Sequence, residues 1–376
     1  MLFYPIFAII SATVDLQAQI QQIEKEIRET PYHKGTEHHI GRLRARLSKL
    51  KDKQFESSAK GGGRRLGEAS GSESGYSVKK QGDATVVLVG PPSVGKSTLL
   101  NKFTNAKSKI APYDFTTVSV IPGMMVYKNA RIQILDVPGL IEGAEKGKGR
   151  GREVLSVARG ADLLILLCDV ENKSMFAKIA NSLEKTGIRI NKIPPEVAVE
   201  KKLKGGIIIH SNIKQDLSKE TIKEVAAELG LKNAEINIKE KLTIDKLIDS
   251  FSKSRVYVPA ITVLNKIDLI DDEGLHNLNH AISAEKGVGL EELKKIIWEK
   301  LEFVNVFLVR PSDVPDFNHP IVMKKGQTLT SVAEKIGSDF AQDKKKAKIW
   351  GTGAKFAGQE VSLSTKVAEG MQVRFI

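Results

Sequence analysis

The sequence predicts an α/β protein in which a mostly parallel sheet carries helices on both faces. A helical hairpin precedes this domain, an α+β segment is inserted in it, and a small mixed-sheet module follows. Three observations predict this. The apolar run 85–89 leads into Gly90-Pro-Pro-Ser-Val-Gly-Lys-Ser97, and a helix-like stretch, 98–103, comes next. Apolar runs of strand length recur at 131–137, 163–170 and 258–264, alternating with helical segments. Before and after that region the hydrophobic spacing changes character.

In chain order, residues 13–56 read as a helical hairpin. Leu16, Ile20, Ile23 and Ile27 repeat at spacings of four and three, as do Ile40, Leu43, Leu47 and Leu50 after a break holding Pro31 and Gly35. The second helix carries Arg42, Arg44, Arg46, Lys49, Lys51 and Lys53 on its polar side. A solvated face is the default reading of such a run, and an RNA-contacting face is the alternative. Residues 57–83 are rich in Gly and Ser and read as a flexible linker. The sheet domain takes 84–170 and 258–302. Between them, 171–257 is longer than one crossover helix requires, and it has its own patterning: a strand at 207–210, a stripe of Ile222, Val225 and Leu229, and a second helix over 242–251. Residues 303–376 hold a strand at 304–309, a Pro-punctuated loop, a short helix at 328–336 and three further strands.

Composition narrows the class. The chain has 376 residues, 41% hydrophobic and 27% charged, as in soluble globular proteins. Cys168 is the single cysteine, which excludes an intrachain disulfide and a cysteine-built zinc site. A net charge of +13 exceeds what one nucleotide ligand requires and points to an extended polyanion such as RNA. DNA is not expected. The apolar opening 1–10 is too short to span a bilayer, so a cytoplasmic protein with no membrane partner is expected; a start-site artefact, an extension or a strand would each account for the opening itself.

The strand–loop–helix context makes Gly90, Pro91, Pro92, Ser93, Val94, Gly95, Lys96, Ser97 and Thr98 a phosphate-binding loop. Its backbone N–H groups would face the α- and β-phosphates, Lys96 would bridge β and γ, and the Ser97 hydroxyl would ligate Mg²⁺. Three further signals follow in order: Asp136-Val-Pro-Gly139, Asn265-Lys-Ile-Asp268 and Ser283-Ala-Glu285. Asp136 would hold Mg²⁺ through water, and the Gly139 N–H would bond the γ-phosphate. Within Phe115-Thr116-Thr117, a hydroxyl must reach Mg²⁺; Thr117 is the choice and Thr116 the alternative. Asp268 would accept from guanine N1–H and the 2-amino group, which adenine cannot offer, and such sites reject the wrong analogue by roughly 10⁴-fold or more. Lys266 would lie along the base, Asn265 would tie this loop to the phosphate loop, and the segment Ser283, Ala284 and Glu285 would present backbone N–H to guanine O6. The ligand is GTP or GDP.

Leu140 stands where Ras-like GTPases carry a water-orienting glutamine. Either intrinsic hydrolysis is slow and assisted by a partner protein, or another group or a monovalent cation replaces it. Ser93 bears on the cation, because K⁺-dependent relatives commonly have asparagine there.

The run 136–144 with Gly147-Lys-Gly-Arg-Gly151, the run 113–117 and the run 82–97 resemble the Obg-type GTPases, and among them the developmentally regulated GTP-binding (DRG) proteins. The resemblance extends from about Val14 to the C-terminus. It implies an insertion resembling ribosomal-protein S5 domain 2, a C-terminal β-grasp-like TGS module, Mg²⁺-dependent GTP hydrolysis with monovalent-cation sensitivity, and association with ribosomes and RNA. The leading expectation is a GTP-hydrolysing switch acting in translation. An RNA- or ribosome-binding scaffold using GTP as a structural ligand is the rival, and Asp268 disfavours an Obg-like ATPase.

Overall fold

The computed structural model describes residues 4–59, 81–104, 120–137, 151–252, 254–270, 280–310 and 314–376. Helices α1 (Tyr4–Glu29) and α2 (Glu37–Ala59) come first, so the apolar opening continues into a helix rather than a strand. Next are β1 (Ala84–Val89), α3 (Lys96–Thr104), β2 (Ile121–Tyr127), β3 (Ala130–Asp136), α4 (Gly151–Arg159), β4 (Leu163–Asp169) and α5 (Met175–Lys185). The insertion holds β5 (Ile188–Ile190), β6 (Val197–Lys201), β7 (Ile207–Ser211), α6 (Lys219–Glu228), β8 (Ala234–Ile238), α7 (Ile244–Phe251) and β9 (Val256–Val258). The chain then returns through β10 (Ala260–Asn265) and α8 (Leu290–Lys300). Last come β11 (Phe303–Leu308), β12 (Ile321–Lys324), α9 (Leu329–Ile336), α10 (Ser338–Gln342), β13 (Lys346–Gly351), β14 (Gln359–Ser362) and β15 (Met371–Phe375). Two compact units result: the hairpin with 182–257, and the sheet domain with the C-terminal module.

In the second unit the sheet order is β10-β4-β1-β3-β2, parallel except for β2. Every residue of β1 and β4 is buried, which is why these strands read as unbroken apolar runs: helices cover both faces. Edge strand β2 contains Pro122 and Gly123 and carries no such run, so its sequence is not strand-like; its pairing comes from the two-residue turn at Lys128 and Asn129, both at positive φ. Leu99, Leu100 and Phe103 of α3 and Leu293 and Ile297 of α8 share one core with the sheet. Trp298 meets Phe303 edge-to-face at a centroid distance of 5.3 Å, fastening α8 to the start of β11.

The C-terminal sheet runs β12-β11-β15-β13-β14, with α9 packed on one face. Two carboxylates join this module to the sheet domain. Asp162 accepts from Lys324 Nζ at 2.8 Å and from the Thr85 N–H at 2.9 Å. Asp83 accepts from Lys335 Nζ and from the Arg131 N–H.

In the first unit, the leucine and isoleucine stripes meet as a seam: Ile20 and Ile23 of α1 against Leu43 and Leu50 of α2. Helix α2 has a second buried side, where Ile40 and Ala45 join the core under the sheet β6-β8-β7 and helices α6 and α7. Glu37, 3% exposed, seals that contact; it accepts from the Ser218 N–H at 3.0 Å and the Thr221 hydroxyl at 2.9 Å, at the N-terminus of α6. Arg255 donates to Asp249, Asp52 and Ser48, and Arg189 grips Asp249 through two nitrogens. The six basic residues of α2 therefore divide. Arg44 pairs with Asp245, Lys49 donates to the Glu228 carbonyl and Lys51 pairs with Glu24, whereas Arg42, Arg46 and Lys53 are exposed.

Candidate nucleotide site

The motif-bearing loops stand at the C-terminal ends of β1, β3, β4 and β10, the edge of a parallel sheet at which open α/β proteins bind ligands. Two glycines have no substitute there. A Cβ on Gly90 would fall 2.2 Å from the Leu167 carbonyl oxygen, and one on Gly95, at φ +92°, would fall 2.3 Å from Asn265 Nδ2. Ser93 adopts φ 62°, a left-handed conformation uncommon outside glycine.

Lys96 is buried, and its Nζ donates to the carbonyls of Gly90 (3.1 Å) and Pro91 (2.7 Å), which folds the ammonium back into its own loop. Burial pulls its pKa below the ordinary lysine value, and the Asp136 carboxylate partly offsets that. The Ser97 hydroxyl donates to Asp136 Oδ2 at 2.5 Å. Asp136 Oδ1 is buried with no hydrogen-bond partner. An orphaned carboxylate oxygen beside a serine hydroxyl is the hard oxygen donor set that Mg²⁺ takes, so these residues fit the ion.

Asn265 is 2% exposed and uses both ends of its amide. Its Nδ2 donates to the Val94 carbonyl at 2.8 Å, and its Oδ1 accepts from the Ala284 N–H at 2.9 Å. The phosphate loop, the 265–268 turn and the 283–285 turn are thereby clasped by one side chain. Lys266 has left-handed backbone, φ 64°, and its Nζ lies 3.4 Å from Asp169 Oδ2. The Ser283 hydroxyl is the main cause that holds the Asp268 carboxyl below its ordinary pKa, and Ser283 Oγ also accepts from the Lys286 N–H. Pro92 and Glu285 are exposed, and Thr98 is half-buried in the first turn of α3. Phe115, Thr116, Thr117, Gly139 and Leu140 lie outside the described residues.

Asp169 is absent from the sequence-based site set. It ends β4, is 7% exposed, and accepts from Asn172 as well as facing Lys266. The signal was available: a lone carboxylate closing an otherwise apolar strand.

Comparison with known proteins gives three matches along the chain. Residues 85–201 match the family described as 50S ribosome-binding GTPase, 204–303 the C-terminal region of that domain, and 304–376 the TGS domain. Developmentally-regulated GTP-binding protein 1 of Xenopus laevis is 40% identical over 352 residues, 92% of this chain and 94% of its own length. The chain belongs to the DRG family of GTP-binding proteins. Developmentally-regulated G-protein 3 of Arabidopsis thaliana is 39% identical over 92% of this chain and 94% of its own. A GTP-binding protein of Methanocaldococcus jannaschii is 41% identical over 97% and 93%. Among solved structures, a GTP binding protein from Pyrococcus horikoshii OT3 aligns over 78% of this chain and 99% of its own, at 15% identity and a TM-score of 0.39. This DRG-family chain is thus a GTP-binding protein with a GTPase domain and a TGS domain, as its motifs led one to expect. Among the described residues, no helix is long and apolar enough to cross a membrane.

Proposed function

We propose that this DRG-family protein is a Mg²⁺-dependent GTP hydrolase, cytoplasmic, with slow intrinsic turnover, that acts as a switch on ribosomes or RNA. The observation that carries the nucleotide part is the Asn265 clasp, which holds the phosphate loop and both base-recognition turns in one register. In that register Asp268 reads guanine, Lys266 lies along the base where Asp169 steadies it, and the backbone of the Ser283, Ala284 and Glu285 segment faces O6. The residues Gly90 to Thr98 cradle the phosphates, and Lys96 leaves its two carbonyls to meet β- and γ-oxygens. Ser97 and Asp136 would hold Mg²⁺, Asp136 through water, with the Thr117 hydroxyl as a further ligand. Bound there, the ion would neutralise charge on the phosphates. Gly139 would donate its N–H to the γ-phosphate, and loss of that phosphate on hydrolysis would release the segment that follows. With Leu140 in place of a water-orienting group, turnover is slow unless a partner protein, the ribosome or K⁺ supplies what is missing.

The RNA part rests on charge. Arg42, Arg46 and Lys53 remain exposed on α2, and residues 303–376 hold eleven Lys or Arg against seven Asp or Glu. Arg44 is a docking residue rather than an RNA contact, because it pairs with Asp245.

Single-turnover hydrolysis in K⁺ and in Na⁺, with and without ribosomes, tests the reading. Acceleration by ribosomes is expected, together with loss of co-sedimentation when Arg42, Arg46 and Lys53 are reversed. GTP bound tightly but never hydrolysed under any of these conditions would favour the scaffold that uses GTP as a structural ligand. Asp268→Asn should exchange GTP for xanthosine triphosphate, whose 2-oxo group accepts where guanine donates; unchanged GTP preference would refute the base assignment.

A further inference from the structure

In the C-terminal sheet, alternate residues face opposite ways, and α9 packs on one of the two faces. Val306, Ile349, Val373 and Phe375 point into the core shared with Leu329 and Val332 of α9. Their neighbours point to the other side, where Phe303 and Val322 at the β11–β12 end join the core of the sheet domain beside Trp298 of α8. Register then aligns two rows across the central strands. Phe307 of β11 and Trp350 of β13 both sit opposite Gln372 of β15, and in the next row Lys348 sits opposite Arg374. Phe307 and Trp350 are thus two strand spacings apart, about 9.6 Å.

The rest of that second face is aromatic and cationic together. Phe317, 58% exposed, stands edge-on to Phe307 at a centroid distance of 5.1 Å and widens that end. The Arg374 guanidinium lies 5.4 Å from the centre of the Trp350 ring. Lys346 and Lys348 flank the ring row on β13, and the one carboxylate beside them, Glu360, is half exposed and 3.8 Å from each. Exposed pairs of that length contribute little and yield to a better anion.

One exposed ring and two partly exposed ones, an amide between them and cations alongside match one chemistry: unpaired bases on a sugar–phosphate strand. Bases stack on aromatic side chains whatever their sequence, Gln372 offers both donors and an acceptor to a base edge, and the lysines meet phosphate. A duplex buries its base faces and would leave the rings unused. We propose that this aromatic and cationic part of the C-terminal sheet binds single-stranded RNA by stacking bases on Phe307, Phe317 and Trp350. The proposal rests on the reading that this protein has an RNA partner, and it specifies which RNA and where.

The test uses the full chain and a fluorescein-labelled ten-nucleotide single-stranded RNA, with the same sequence as a duplex for comparison, by anisotropy at two salt concentrations. The chain has two tryptophans, and Trp298 is 6% exposed, so quenching of tryptophan emission by unlabelled RNA reports on Trp350. Expected are preference for the single strand, quenching at saturation, and about tenfold weaker binding in each of Trp350→Ala, Phe307→Ala and Phe317→Ala, the size of one base–aromatic stack. Phe317→Ala keeps the test decisive if the other two fail to fold, because that ring is mostly in solvent. Lys346→Gln should reduce the salt slope by about 0.7. Binding of RNA that is unchanged in Phe317→Ala and leaves emission unquenched would overturn the platform while the RNA partner stands. No binding of either RNA by the wild-type protein would overturn both, and would leave the face to a protein partner.

Discussion

Replacing Asn265 by alanine removes both ends of the clasp between the phosphate loop and the 283–285 turn. Two buried groups lose their partners, the Val94 carbonyl and the Ala284 N–H, at hydrogen bonds of 2.8 and 2.9 Å. Each orphaned group costs about 1–3 kcal/mol, and partial relaxation of the two loops puts the sum near 3 kcal/mol. The cost should fall on nucleotide binding as well as on folding, because a bound nucleotide needs all three loops in register. Three kcal/mol corresponds to roughly a hundredfold weaker GDP and GTP. Stopped-flow displacement of a fluorescent GDP analogue measures this as a faster off-rate. A double-mutant cycle with Gly95→Ala sharpens it. In the wild-type background the added Cβ collides with Asn265 Nδ2 at 2.3 Å; in Asn265→Ala that collision vanishes and only the positive-φ strain is left. The double mutant must therefore bind better than the sum of the singles predicts. Affinity within threefold of wild type in a folded Asn265→Ala protein, or additivity within about 0.5 kcal/mol across the cycle, would refute the clasp.

Two further outcomes follow from the first unit. Burial pushes the Glu37 carboxyl up, but Lys34, the Ser218 N–H and the Thr221 hydroxyl outweigh it, so its folded pKa lies below the ordinary 4.5. Its contribution is complete above that value and is lost as pH falls through the folded one, so Glu37→Gln should lower the urea midpoint at pH 7 and make the acid limb below pH 4.5 shallower; coincident acid limbs would count against it. Arg255→Ala strips Asp249 and Asp52 of a donor, with Asp249 9% exposed, and should cost about 3–5 kcal/mol in urea unfolding, whereas a loss under 1 kcal/mol would mean the network is not holding the hairpin to the insertion.

The nucleotide motifs were legible because their chemistry is local: a phosphate loop needs glycine where Leu167 and Asn265 crowd the backbone, and both glycines are in the sequence pattern. The strands doubly covered by helices were legible for the same kind of reason, since burial on both faces demands the continuous apolar runs of β1 and β4. Elements fixed by partners were not. Strands β6 and β8 alternate or carry charged residues, and they become strands through pairing with each other, Val197 to Ile238 and Val199 to Ile236. The fate of the arginines on α2 was equally hidden: helical periodicity puts Arg42, Arg44 and Arg46 on a polar side, but only the fold brings Asp245 to Arg44. Asp169 was missed because its partner Lys266 lies 97 residues further along the chain: the carboxylate closing β4 is legible locally, its pairing is not.

Asp83 and Asp162 each serve two masters, a lysine of the C-terminal module and a backbone N–H at the root of the sheet, Arg131 in β3 and Thr85 in β1. Strands run from those roots to the phosphate loop, a span of about 20 Å for the six residues of β1. The TGS module is therefore moored at the end of the sheet remote from the phosphate loop. Occupancy of one end is felt at the other only if strain is carried along stiff, fully buried β strands, which resist deformation.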